Sequence, residues 1–140
     1  MSDWRAQLRV DPLPALLCSG DAALVYFTRR DLLGEDSGQV EQLWKLAEAQ
    51  KIVRKQQPSG SWPRSGEHKH PAINYGLIET WRWLRVLVEQ FGFTRQHLAV
   101  ERAAEFIFSC QAAEGDFRGI LANQYATYYT GAILALLVLA

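Results

Sequence analysis

From Val40 to Gln56 the apolar positions Val40, Leu43, Trp44, Ala47 and Ile52, with the stem of Lys51, fall on one helical stripe. Leu98, Ala99, Ala103, Phe106, Ile107 and Cys110 do the same between Gln96 and Cys110. Turn chemistry stops each stripe: Gln57-Pro58-Ser59-Gly60-Ser61-Trp62-Pro63 after the first, Ala113-Glu114-Gly115-Asp116 after the second. A further helix is predicted beyond each turn, from Ala72 to Gln90 with Gly92 as its C-terminal cap, and from Ala126 to the last residue. The unit is helix, long loop, helix, and loops of this length in compact domains are usually functional or specially packed.

The unit occurs twice. Sliding the sequence against itself by 55 positions pairs Leu43 with Leu98, Ala49 with Ala104, Ile52 with Ile107, Gln56 with Gln111, Gly60 with Gly115, Gly76 with Gly131, Ile78 with Ile133 and Leu84 with Leu139. These are eight identities where composition alone gives about three. Trp62 against Phe117 adds a matched aromatic.

Upstream, Asp11 to Cys18 and Asp21 to Leu33 are predicted as two short helices, the second with Asp21 as N-cap and Gly34 as C-cap. They do not align with the repeat. The expected organisation is a single all-α domain: an N-terminal helical cap over 1–39, then two α-hairpin repeats over 40–140, divided as 40–94 and 95–140 with the second open-ended.

Composition changes this picture little. A chain of 140 residues that is 49% hydrophobic, with five Trp, five Tyr and six Phe, has the means to fold throughout. Fifteen basic residues balance fifteen acidic ones and are scattered, which excludes the electrostatic footprint of a nucleic-acid or anionic-membrane binder. The N-terminus has no apolar stretch of signal-peptide length, and the longest apolar run, Ala132 to Ala140, is about half a membrane span. Cys18 and Cys110 have no partner spacing, so they are expected to be buried apolar fillers in a reducing cytoplasm, with no metal and no cofactor implied.

The two turns carry the most specific motif. The second unit contains Arg102-Ala103, Phe106, Gln111, Gly115 and Phe117, and the first keeps Gln56, Gly60 and Trp62 at the same spacings. A Gln at a helix end can satisfy orphan backbone groups of its neighbour, and an aromatic two residues past a Gly can stack on its amide, so the set is expected to clip adjacent hairpins. This pattern is similar to the QW motif of squalene and oxidosqualene cyclases. Cys110 to Leu137 resembles a repeat of protein prenyltransferase β-subunits. The chain as a whole resembles the N-terminal part of a prokaryotic member of the terpenoid cyclase and protein prenyltransferase superfamily. That resemblance implies an α/α-toroid-type arrangement, here partial, in which 72–90 and 126–140 belong to an inner ring and the loops before them rim a cavity.

The chemistry of such enzymes is not written into the chain. Cyclases that protonate an alkene or epoxide use clustered carboxylates, whereas Asp3, Asp11, Asp21, Asp31, Asp36 and Asp116 stand apart. The Asp, Cys and His ligands of a zinc site are absent as a pattern, and His68 with His70 lacks a third ligand. Glu79, Arg82 and Arg85 beside Trp81 and Trp83 read as helix-surface pairs and packing aromatics.

The richest stretch is Glu114 to Thr130, which concentrates Asp116, Arg118, Asn123, Gln124, Tyr125, Tyr128 and Tyr129 at a loop-to-helix junction. Asp116, Arg118, Gln124, Tyr125 and Tyr128, joined by His70, are the candidate ligand-binding rim. The alternative is that Asp116 and Arg118 pair with each other while the tyrosines only pack. Two functions are compatible with this: binding of an isoprenoid or other apolar ligand in a toroid cavity, or a noncatalytic helical-repeat module that binds a protein or glycan partner. The apolar end, Gly131 to Ala140, has no cap or polar flank, so either the natural chain continues past it or the helix is buried against a second copy.

Overall fold

The computed structural model describes residues 4–66 and 70–140, the side chain of Trp4 excepted. Among these are seven α-helices and no strand, so the chain is all-α. Residues 1–40 and 41–140 form two compact units.

In the first unit α1 (Leu13–Leu17) packs on α2 (Ala22–Phe27). Asp21 caps α2 as predicted, its Oδ1 accepting from the amides of Ala23 at 2.9 Å and Leu24 at 3.0 Å. The helix does not run on to Leu33 as one α-helix; it widens into a π-type turn over Thr28–Leu32, after which Gly34 takes a φ of 67°. Leu13, Ala23 and Tyr26 are buried, and the Tyr26 hydroxyl donates to the Gly38 carbonyl at 2.9 Å. Cys18 is exposed, which corrects the expectation of a buried filler: it lies at the C-terminal end of α1, outside the helix's buried position Leu13.

In the second unit the predicted helix 40–56 is broken into α3 (Glu41–Trp44) and α4 (Ala47–Val53). Tertiary packing overrides the continuous stripe. The Trp44 ring lies against Phe93 and His97, with centroids at 5.3 and 5.4 Å, and its Nε1 donates to the Gly92 carbonyl at 3.1 Å. Leu46 turns extended, and Gln50 donates to the freed Trp44 carbonyl at 2.7 Å.

The central helix is α5 (Tyr75–Phe91), which packs against α4, against α6 (Leu98–Ser109) and against α7 (Thr127–Leu139). Leu77, Thr80, Leu84 and Leu87 are completely buried along it. Asn74 caps its start, accepting from the Leu77 amide at 2.9 Å, and Gly92 ends it in the left-handed conformation that its sequence position predicts. The α6 stripe of Ala99, Val100, Ala103 and Ile107 is buried, and His97 caps that helix through Nδ1, which accepts from the Ala99 amide at 3.1 Å. Among the described residues no helix is long and apolar enough to cross a membrane.

The two turns repeat bond for bond. Gln57 N donates to Ser61 O and Gly60 N to Gln57 O at 2.8 and 2.9 Å; Ala112 N donates to Asp116 O and Gly115 N to Ala112 O at the same two distances. Gln56 Nε2 donates to Gly60 O at 2.9 Å and Gln111 Nε2 to Gly115 O at 2.7 Å. Each matched aromatic then hangs its amide on a threonine of the following helix: Trp62 N on Thr80 Oγ1 at 3.2 Å, Phe117 N on Thr130 Oγ1 at 3.1 Å.

The threonine bonds span eighteen residues in the first hairpin and thirteen in the second, so the stretch from aromatic to threonine is five residues shorter in the second. The offset of 55 therefore holds for the turns but not for α5 and α7. Gly76, Ile78 and Leu84 do not take the places of Gly131, Ile133 and Leu139. Gly76 faces the Phe106 ring while a side chain at Gly131 would meet nothing, and Leu84 is wholly buried while Leu139 is 64% exposed.

Only the first turn clips its neighbour. Gln56 Nε2 also donates to the Ala99 carbonyl in α6 at 2.8 Å, and Gly60, at φ 88°, lies so near the Arg102 carbonyl oxygen that a β-carbon there would collide with it. Gln111 is exposed and bonds only its own turn, and nothing crowds Gly115. The expectation that both glutamines join hairpins holds for one of them, because α6 covers the first turn and no described element takes that place on the second.

Two outcomes are expected. In urea unfolding, Gln56→Ala lowers stability by about 1–2 kcal/mol through the stranded carbonyl and the lost bridge, and Gln111→Ala lowers it by clearly less. Burial lowers the His97 pKa below its ordinary 6.5, so the folded state favours neutral imidazole and binds fewer protons than the unfolded chain. The stability this contributes is present above pH 6.5 and is lost as pH falls below it. Thermal unfolding midpoints measured between pH 7.5 and about 5 should fall over that window, and His97→Asn, which keeps a capping acceptor that does not titrate, should flatten this part of the profile.

Candidate functional site

The stretch from Glu114 to Thr130 forms the loop that leads into α7. Phe117 is buried as its anchor, held by the Thr130 hydroxyl, and Gly119 rests on the N-terminal cap of α5, with the Asn74 amide donating to the Gly119 carbonyl at 2.8 Å. A positive φ of 106° at Gly119 and the Asn74 β-carbon only 2.6 Å from where a side chain would begin explain why no other residue fits there. Asn74 Nδ2 further donates to Cys110 Sγ at 3.4 Å, so the half-buried Cys110 has a polar contact.

Of the predicted rim residues, Asp116 and Arg118 are brought together. Arg118 Nε donates to Asp116 Oδ2 at 2.8 Å, and Arg118 Nη2 lies 3.3 Å from the Glu114 carboxylate. Asp116 is buried, and the hydrogen bond and charge of its carboxylate raise the Arg118 pKa above its ordinary value. Its second oxygen, Oδ1, is buried with no hydrogen-bond partner among the described residues, as is Trp81 Nε1.

The tyrosines divide. Tyr125 is 64% and Tyr128 76% exposed, while Tyr129 packs edge-on against Trp81 with centroids at 5.8 Å and against Tyr128 at 5.3 Å. Gln124 is exposed. His70 is exposed too, at the start of the segment leading into α5, where its amide donates to the Tyr75 hydroxyl at 3.3 Å. No described contact joins His70, Tyr125 or Tyr128 to the Asp116–Arg118 pair. His68, the proposed companion of His70, lies outside the described residues, and among those described no three His, Cys, Asp or Glu side chains gather as metal ligands.

Sequence reasoning foresaw one further feature, an apolar end that needs cover, and missed another. One is the surface of α7: the helix is apolar on all sides, yet only Ile133 and Leu136 are buried, leaving Tyr128, Leu134, Val138 and Leu139 exposed. Between α7 and α6 runs a groove of about 440 Å³ lined by Val100, Ala104 and Leu137 to Ala140, with Arg95 and Glu101 at its edge. The other is a cavity beside Trp62, on the far side of the first turn, bordered by Lys55, Arg64 and Arg82. The signal for it was present in the sequence as two cations within a few residues of the motif's Trp62.

The Asp116–Arg118 contact is expected to be mutually dependent. Arg118→Ala, by stranding a buried carboxylate, should lower the thermal midpoint more than Asp116→Ala/Arg118→Ala does, and a double-mutant cycle from urea unfolding measures the coupling. A coupling energy of zero in that cycle would show that Asp116 draws no support from Arg118.

No protein-family model matches the chain, and no curated protein and no solved structure is similar to it at a significant level.

Proposed function

We propose that this chain is a noncatalytic helical-hairpin module whose working surface is the open face of α7, and that this face pairs with a second copy of the chain. The observation that carries the proposal is an apolar helix left half uncovered: Val138 is 88% exposed, and Tyr128, Leu134 and Leu139 share its fate. A helix that is hydrophobic all round is normally buried, and a contiguous exposed apolar face marks an interaction site.

The chemistry of the face favours a like partner. From Gly119 to Ala140 there is no charged residue, so two copies bring no like charges together and desolvate no ion. Gly131 and Ala135 lie along the exposed stripe with Tyr128, Leu134 and Val138, and a side chain at Gly131 would meet nothing, so small residues leave room for a second helix to approach. The turn supports the same view: Gln56 uses its second N–H to hold a helix of the neighbouring hairpin, and Gln111, its equivalent, has that donor free among the described residues.

The scaffold proposed for this role is the α/α-toroid type, on the strength of the Gln, Gly and aromatic positions in both turns. The polar groups of the predicted rim are either paired locally, as Asp116 and Arg118 are, or spread over separate exposed positions. That favours a binding surface over a ligand cavity.

Light scattering coupled to size exclusion tests this directly. The chain is expected to run as a concentration-dependent dimer, and Leu134→Glu/Val138→Glu to run as a monomer with unchanged helical circular dichroism, since neither side chain is in the core. A wild-type chain that stays monomeric up to about 0.3 mM, where even weak specific pairs associate, would overturn the proposal.

A further inference from the structure

The cavity beside Trp62 has a volume of about 560 Å³, within the range of small-molecule sites. Its floor is fixed. Trp62 is 1% exposed, its indole N–H donating to the Ile52 carbonyl at 2.8 Å and its amide to Thr80, and Pro63 follows it in the chain. Trp83 and Ile78, five residues apart on α5, supply further apolar wall.

Three cations surround this floor. Lys55 reaches it from the end of α4, Arg64 from the segment after Trp62, and Arg82 from α5. Arg64 is held over the Tyr75 ring, 4.4 Å from its centre, and Arg82 over Trp83 at 5.2 Å. Both guanidinium groups are thereby positioned by aromatic faces, which leaves their N–H donors unspent. The carboxylate that lines the cavity is Glu79, and its nearest cation is Arg82 Nη1 at 3.8 Å, too far for a hydrogen bond. Among the described residues neither Lys55 nor Arg64 has a carboxylate partner. Among the described residues three positive side chains against one negative leave an excess of two positive charges around an aromatic floor, in a chain whose net charge is zero.

We propose that this cavity binds an organic anion, a carboxylate or phosphate carried on a planar apolar body, with the body against Trp83, Ile78 and Pro63, over the buried Trp62, and the anionic group between Lys55 and Arg64. None of the lining residues belongs to α7, so the site is separate from the self-association face.

Isothermal titration of the full chain with 1-naphthyl phosphate and 1-naphthoate tests it, with 1-naphthol and inorganic phosphate as the two half-ligands. At least one naphthyl anion is expected to bind more tightly than either half-ligand, with affinity falling as salt is raised, and whichever of the two binds better identifies the anionic group. Lys55→Gln/Arg64→Gln, in which both replaced side chains are exposed and outside the core, is expected to weaken that binding about tenfold or more while leaving the helical circular dichroism unchanged. In the same titration followed by NMR, the Trp62 indole N–H signal should shift. Three results would overturn the proposal: no binding up to about 1 mM, naphthol binding as tightly as its phosphate, or undiminished binding by the double variant.

Discussion

The second unit depends on the burial of one face of α5. Leu77, Leu84 and Leu87 are removed completely from water along that helix, each contributing about 1.5–3 kcal/mol, and Val88 and Phe91 nearly so. Helices α4, α6 and α7 each meet it, so these three are placed by their fit to this one surface. The helix is held at both ends, by the Asn74 side chain at its start and by Gly92 in the left-handed conformation at its finish. Those ends serve the neighbours as well: Asn74 carries the Gly119 loop, and the Gly92 carbonyl receives the Trp44 indole.

Hydrogen bonds then specify how the hairpins sit on that surface. A threonine within a helix has its own backbone amide and carbonyl engaged, and its hydroxyl is the spare group; in both hairpins it accepts from the amide of the buried aromatic. An amide beside a wholly buried ring would otherwise be cut off from water at a cost of about 1–3 kcal/mol. The same logic places Gln56, whose two donor hydrogens satisfy a turn carbonyl and an α6 carbonyl together. The second hairpin keeps the turn and the threonine but not the bridge, and it is there that apolar surface stays uncovered.

The unit therefore presents two unlike surfaces. One is uncharged and apolar along α7; the other is cationic and aromatic around Trp62. Neutrality of the chain as a whole hides this division, because the basic residues near Trp62 are offset by acidic residues elsewhere in the chain.

Much of the fold was legible in the sequence because it rests on local rules. Helical periodicity marked α5, α6 and α7 to within a few residues, Asp21 and Gly92 announced their caps, and the spacing of Gln, Gly and aromatic residues marked two equivalent turns. Of the candidate site, Asp116 and Arg118 were near enough in the chain to be foreseen as partners. Tertiary structure alone decided the rest. The break between α3 and α4 follows from where Trp44 packs, a contact across 48 residues that no local pattern records. Sequence identity also aligned Leu84 with Leu139, but an aromatic-to-threonine stretch shorter by five residues moved α7 out of that register, since the threonine bond and the packing against α5 outweigh residue identity. Whether an apolar residue is core or surface was likewise set by what covers it: α7 carries as apolar a sequence as any helix here, and only its side against α5 found a partner.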